Sequence, residues 1–156
     1  MNAVRPEAEA VQRMFSDIAF RYDFLNRLLS FGIDRFWRRE AVRVVVEAKP
    51  GRILDVATGT ADLAISLKQA LPNAEVIGVD FAEPMLRVGR KKVSKLNLTL
   101  PLLQGDGLNL AYPDNSFDGV TIAYGIRNFT DRQRGLEEFY RVLRPGGRLV
   151  VLEFPP

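Results

Sequence analysis

One stretch constrains this chain more than any other: a short strand-like run, Ile53-Leu-Asp-Val56, that enters a turn containing Gly59 and then a helical pattern from Asp62 to Leu71. The first run is brief and rich in branched residues, so it reads as a buried strand, while apolar residues at helical spacing follow until Pro72 stops them. A residue without Cβ at Gly59 lets a ligand approach the backbone, and the free N–H groups of the following helix face whatever is bound there. The same alternation then repeats. Strands are predicted over Glu75 to Asp80, Leu100 to Gln104, Phe117 to Tyr124 and Arg148 to Glu153. Between them lie helices beginning near Pro84, with Met85, Leu86, Gly89 and Val93 inward, and one marked by Leu136, Phe139, Tyr140 and Leu143 and stopped by Pro145-Gly-Gly147. Such alternation predicts an α/β fold, a doubly wound and mostly parallel sheet with helices on both faces. The 156 residues suit one domain, with residues 1–48 as an N-terminal helical cap and 49–156 as the α/β core.

A strand, a glycine turn and a helix are shared by dinucleotide binders and by binders of S-adenosyl-L-methionine (SAM). The dinucleotide fingerprint wants G-x-G-x-x-G, whereas this loop reads Ala57-Thr-Gly-Thr-Ala-Asp62 and keeps one glycine. Two carboxylates, Asp55 and Asp62, flank it. They would repel a pyrophosphate and attract a ligand with ammonium and sulfonium charges, which favours SAM. Asp80 ends the next strand, twenty-five residues beyond Asp55, where a ribose could donate two hydroxyl hydrogen bonds to it. The alternative is that Asp80 caps the helix near Pro84. Asp106, at the end of the third strand, is placed to accept from an adenine amino group. On the helix after Asp80, Arg87, Arg90, Lys91, Lys92 and Lys95 read as a solvated face rather than a nucleic-acid surface.

Cysteine and histidine are both absent. There is therefore no disulfide framework and no thiolate nucleophile, and proton transfer near neutrality falls to a carboxylate, Tyr, Lys or water. A formal charge of +3 suits an anionic surface without requiring one. No apolar run approaches the roughly 20 residues of a membrane span. Residues Glu7 to Phe20 form an amphipathic helical pattern, followed to Trp37 by dense aromatics interleaved with arginines. These read mainly as a cap packed on the core, with an interfacial surface as the alternative.

The residues resemble class I SAM-dependent methyltransferases, and closely the UbiE/MenG family of C-methyltransferases in ubiquinone and menaquinone biosynthesis. Tyr22-Asp-Phe-Leu-Asn26 through Ser30 to Trp37 looks like the family's N-terminal signature, and Asp55 to Asp62 like its SAM loop. Gly125-Ile-Arg-Asn-Phe129 looks like its active-site loop, and Arg141 to Glu153 like its late signature. The family usually has Met where Leu25 stands, His at Asp34, Gly at Thr58 and Ser at Pro155. It also continues beyond the fifth strand, so the resemblance implies a C-terminally truncated domain with an uncovered strand edge.

The resemblance implies that Thr60, Asp80 and Asp106-Gly107 contact SAM, that Asp55, Thr58 and Gly59 shape the pocket, and that Ala123 lines it. It implies transfer of a methyl group to a ring carbon of a demethylated prenylated quinol, demethylmenaquinol or its ubiquinone-pathway equivalent, with no metal. Arg127 is the candidate for stabilising a developing phenolate and Asn128 for orienting the ring oxygen. Tyr22 and Asp23 would close the pocket, with Asp23 or a water taking the proton. A cytoplasmic enzyme is expected, in peripheral contact with the inner face of the membrane and compatible with a homo-oligomer, with no nucleic-acid partner. Another small-molecule SAM methyltransferase, or a non-catalytic SAM- or NAD-binding module, remains open.

Overall fold

The computed structural model describes residues 9–11, 14 and 32–154. Residues 9–11 and 14 are helical, within the first predicted helix; the rest of that helix and the aromatic stretch up to Phe31 lie outside the described residues. Helix α1 (Ile33–Glu47) follows Gly32, whose φ of 83° lets the chain turn into it without a side-chain cap. Then come β1 (Arg52–Val56), α2 (Asp62–Ala70), β2 (Glu75–Asp80), α3 (Glu83–Lys95), β3 (Leu102–Gln104), β4 (Phe117–Ala123), a 3-10 turn (Ile126–Asn128), α4 (Arg132–Val142) and β5 (Leu143–Leu152).

The five strands form one sheet in the order β3-β2-β1-β4-β5, and every neighbouring pair is parallel. The predicted doubly wound sheet is therefore observed. Because side chains alternate along a strand, the neighbouring strands β1 and β2 feed two separate cores. Ile53 and Val76 pack with Leu67, Leu86 and Ala41 under α1, α2 and α3. Leu54, Val56, Val120 and Ile122 pack on the opposite face with Phe139 and Val142 of α4. Burying these side chains, several at 0% exposure, stabilises each by about 1.5–3 kcal/mol and fixes the register.

Three expectations need correction. Strand β5 begins at Leu143 rather than Arg148, because the register against β4 shifts between Phe117 and Gly119 and so keeps the Pro145-Gly146-Gly147 segment on the sheet. The basic face of α3 is not merely solvated. Arg90 donates to the Leu102 carbonyl at 2.7 Å, and Lys92 donates to Thr60 Oγ1 at 3.0 Å. Finally, Phe36 and Trp37, assigned above to a packed cap, stay 58% and 48% exposed.

The turn-rich loop before β4 is held to α4 by one buried carboxylate. Glu138, 2% exposed, accepts from the Leu110 N–H at 2.7 Å and from Arg141 Nε at 2.8 Å. Arg141 in turn donates to the carbonyls of Leu110 and Tyr112. The guanidinium holds the Glu138 carboxyl below the usual range, so it stays ionised at neutral pH. Glu138→Ala removes the anion and strands the Leu110 N–H, and leaves the guanidinium with Asp114 and the two carbonyls. We expect denaturant unfolding at neutral pH to lose about 2–4 kcal/mol. A loss below about 0.5 kcal/mol would show that solvent replaces the network at no cost.

Candidate functional site

In the order β3-β2-β1-β4-β5, the chain leaves β1 toward α2 on one face and leaves β4 toward α4 on the other. A crevice opens where neighbouring strands send their connections opposite ways, at their carboxyl ends. Both exits carry left-handed backbone on residues with a Cβ: Ala57 follows β1 at φ 52° and Tyr124 follows β4 at φ 56°. Each such residue costs about 1–2 kcal/mol and persists only when its surroundings hold it. Here the two exits hold one another. A Cβ at Gly125 would stand 2.5 Å from that of Ala57, so only glycine permits this approach.

Asp55 ties the same two strands from beneath. Its Oδ2 accepts from Thr58 Oγ1 of the loop at 2.7 Å, and its Oδ1 from Thr121 Oγ1 of β4 at 2.6 Å. The carboxylate is 2% exposed and therefore shapes the loop from inside rather than facing a ligand. Burial pushes its pKa up to about 6; the two hydroxyl donors oppose the rise and Asp80 adds to it.

Above this lies the loop itself. Gly59 has φ 58°, and its N–H donates to Asp80 Oδ2 at 2.8 Å. The other oxygen of Asp80 accepts from the Ala82 N–H at 2.8 Å, at the start of α3. Burial raises the Asp80 pKa, against which the backbone N–H groups of Ala82, Gly59 and Phe81 act. Asp80 thus braces the glycine loop against the start of α3, a role the sequence reading did not weigh, while α3 itself carries no side-chain cap. Thr58 and Thr60 are buried, the Thr60 hydroxyl turned to Lys92.

Asp62 does not join them. It pairs with Arg38 at 3.4 Å and Lys92 at 3.1 Å, so two cations from α1 and α3 already balance the charge expected to draw a cationic ligand. Asp106 is exposed, and its Oδ1 accepts from the Leu108 N–H at 2.8 Å. Gly107 serves packing: a Cβ there would lie 2.5 Å from Phe129 Cζ, and one at Gly135 would lie 2.5 Å from Phe129 Cδ2. The two glycines seat the Phe129 ring, which anchors the loop after β4.

That loop carries Arg127 and Asn128, both exposed, in the 3-10 turn beyond Ala123. The Arg127 guanidinium lies 3.8 Å from Glu153 Oε1 and 5.9 Å from the centroid of the Phe154 ring. Tyr22 and Asp23 lie outside the described residues. Sequence reasoning missed Thr121, Tyr124, Phe129 and Glu153. The last two stand in the quoted motifs, but nothing in their spacing assigns them a partner.

Residues 3–156 match the ubiE/COQ5 methyltransferase family. The chain belongs to that family. Its relatives include the demethylmenaquinone methyltransferase of Thermus thermophilus, 60% identical over 143 residues, with 92% of this chain and 65% of that protein covered. The demethylmenaquinone methyltransferase of Deinococcus radiodurans is 54% identical, covering 96% and 62%. The chain thus spans less than two thirds of the length of these relatives. Among solved structures, a SAM-dependent methyltransferase from Thermotoga maritima superposes with TM-score 0.66 at 28% identity, over 89% of this chain and 59% of its own. A Methanococcus maripaludis protein reaches TM-score 0.77 at 21% identity, over 87% and 62%, a likeness of fold alone.

The Asp55 carboxyl makes a pH prediction. Its folded pKa of about 6 exceeds the ordinary 3.8, so the folded state holds the proton more tightly than the unfolded chain. Its contribution to stability is full below that ordinary value and is lost as pH rises through about 6. Relative to Asp55→Asn, the wild type should therefore lose on the order of 3 kcal/mol between roughly pH 4 and 7 in urea unfolding. A pH-independent difference would contradict a desolvated carboxyl.

Proposed function

We propose that this chain binds SAM at the carboxyl ends of β1 and β2 and directs its methyl group to a ring carbon of demethylmenaquinol, giving menaquinol. One observation carries the reading of the ligand: the Asp80 carboxylate closes on the Gly59 N–H at 2.8 Å, so a loop N–H that a pyrophosphate would need is already bonded. A carboxylate offers about four lone-pair sites, and the N–H groups of Gly59, Ala82 and Phe81 act on those of Asp80, which leaves about one for a ribose hydroxyl. The family and the names of the relatives in Thermus and Deinococcus support the reaction and the menaquinone pathway.

When bound, SAM supplies a methyl group on a sulfonium, an electrophile that carries its own positive charge. The chain's work is then to hold the acceptor in line and to let its ring carbon become nucleophilic. Arg127 stays protonated and stabilises negative charge developing on the ring oxygen, while Asn128 orients that oxygen. Thr60, Asp106 and Gly107 border the adenosine side and Ala123 the reacting side. A prenylated substrate places the work at the inner face of the membrane; Phe36 and Trp37, exposed beside Arg35 and Arg39, suit such contact. Among the described residues, no helix is long and apolar enough to cross it.

Two measurements test the reading. Asp80→Ala should weaken SAM binding in calorimetry by about 1.5–3 kcal/mol and lower the stability of the unliganded protein by about 1 kcal/mol, since Gly59 and Ala82 lose their acceptor. Lower stability with unchanged affinity would leave Asp80 a brace alone. Arg127→Met should leave SAM affinity within about threefold and reduce transfer of labelled methyl to short-chain demethylmenaquinol by about 10²-fold or more in kcat. Its side chain is 51% exposed and its ion pair is long, so stability should fall by less than about 1 kcal/mol. Loss of stability and SAM affinity together, with turnover per bound enzyme intact, would make the residue structural.

A further inference from the structure

The ends of β4 and β5 hold polar atoms that the reading above does not use. Ala123 pairs with Leu152 in the parallel register, and the Tyr124 N–H donates to the Leu152 carbonyl at 2.7 Å, which sets Tyr124 and Glu153 side by side at the mouth of the crevice. Among the described residues, the Tyr124 hydroxyl and Glu153 Oε2 are the buried side-chain atoms without a hydrogen-bond partner. Buried polar atoms in native proteins are nearly always paired, so two orphans at neighbouring strand ends, beside a candidate reacting centre, are acceptor capacity kept open. The stack of Tyr124 on Phe154, with centroids 4.6 Å apart, makes the adjoining wall aromatic.

Glu153 also faces the reacting side. Its side chain keeps 23% exposure, while the unpaired Oε2 is itself buried. Its Oε1 is held by the Phe154 N–H at 3.0 Å and lies 3.8 Å from Arg127 Nη1. A guanidinium at that distance is close enough to act on the same small group as the carboxylate, yet too far for a strong bond that would consume it. The charged and titratable groups around the pair are Arg127 on the loop after β4 and Asp34 and Arg38 of α1, all acting on Tyr124 together with Glu153.

We propose that Glu153 is the proton acceptor for the hydroxyl of the aromatic substrate. This rests on the reading of the site as a ring-methylating centre. In the step, the substrate O–H bond breaks, its electron pair stays on oxygen, and the proton bonds a Glu153 carboxylate oxygen and later passes to water. The oxyanion left behind faces the Arg127 guanidinium, so proton acceptor and charge stabiliser sit on adjacent strand ends. The carboxylate thereby fills the place left by the absence of histidine, and Asp23 is not needed for it.

The test uses Glu153→Gln and Glu153→Asp in the full protein, with SAM affinity by calorimetry, kcat across pH, and binding of 1-naphthol against 1-methoxynaphthalene. Glu153→Gln should lower kcat about 10²-fold or more with SAM affinity within about threefold, and should abolish the acid-side fall of kcat expected of the wild type. Glu153→Asp should recover part of the rate. The wild type should prefer the naphthol over its methyl ether by about tenfold or more, a preference that drops at least threefold in Glu153→Gln. If kcat falls while the acid-side limb and the naphthol preference persist, Glu153 only positions Arg127 and the proposal is overturned. If the wild type binds no SAM and transfers no methyl group, the reading of the site fails first and the proposal with it.

Discussion

The carboxylate of Asp55 sits where two halves of the molecule meet, and its two hydrogen bonds decide the shape of everything above it. One oxygen takes the hydroxyl of Thr121 on β4 and the other takes that of Thr58 in the glycine loop, so the central strands and the ligand loop share one buried anion. Such an anion costs stability, since desolvation disfavours its charge. The cost is tolerated because the alternative is a loop free to drift from the crevice. Strain is stored in the same place. Ala57 and Tyr124 are left-handed at the exits of β1 and β4, and the Ala57–Gly125 contact locks them together.

From this base the site rises in layers. Asp55 fixes Thr58, the loop then presents the Gly59 N–H, and Asp80 grips that N–H together with the Ala82 N–H just before α3. Across the crevice, Phe129 seated between Gly107 and Gly135 fixes the loop that carries Arg127 and Asn128. The glycine loop and the loop after β4 are therefore anchored separately and meet only at β1 and β4. Pre-organisation of this sort is what positions two reactants in line without spending their binding energy on ordering the loops.

Much of this was legible in the sequence, for physical reasons. Short branched runs such as Ile53 to Val56 and Glu75 to Asp80 can be little else than buried parallel strands, and the alternation with helices left one topology class. Asp80 could be placed at the crevice because strand ends have fixed places in that topology, but its bond to the Gly59 N–H could not. What could not be read depends on partners distant in the chain. Asp62 was expected to draw a ligand, but Arg38 and Lys92 neutralise it from helices before and after. The start of β5 was placed too late because Pro145 and two glycines read as a stop, whereas pairing with an irregular β4 overrides that local preference. Glu153 and Tyr124 give no periodic signal at all; only the register between β4 and β5 makes them neighbours.

The central claim is that the anionic, single-glycine loop selects SAM over a dinucleotide. A calorimetric titration of the protein with SAM and, separately, with NAD tests it directly. The account predicts saturable binding of SAM at one site and no measurable heat with NAD at the same concentrations. Saturable binding of NAD, or of neither ligand by a folded protein, would contradict it.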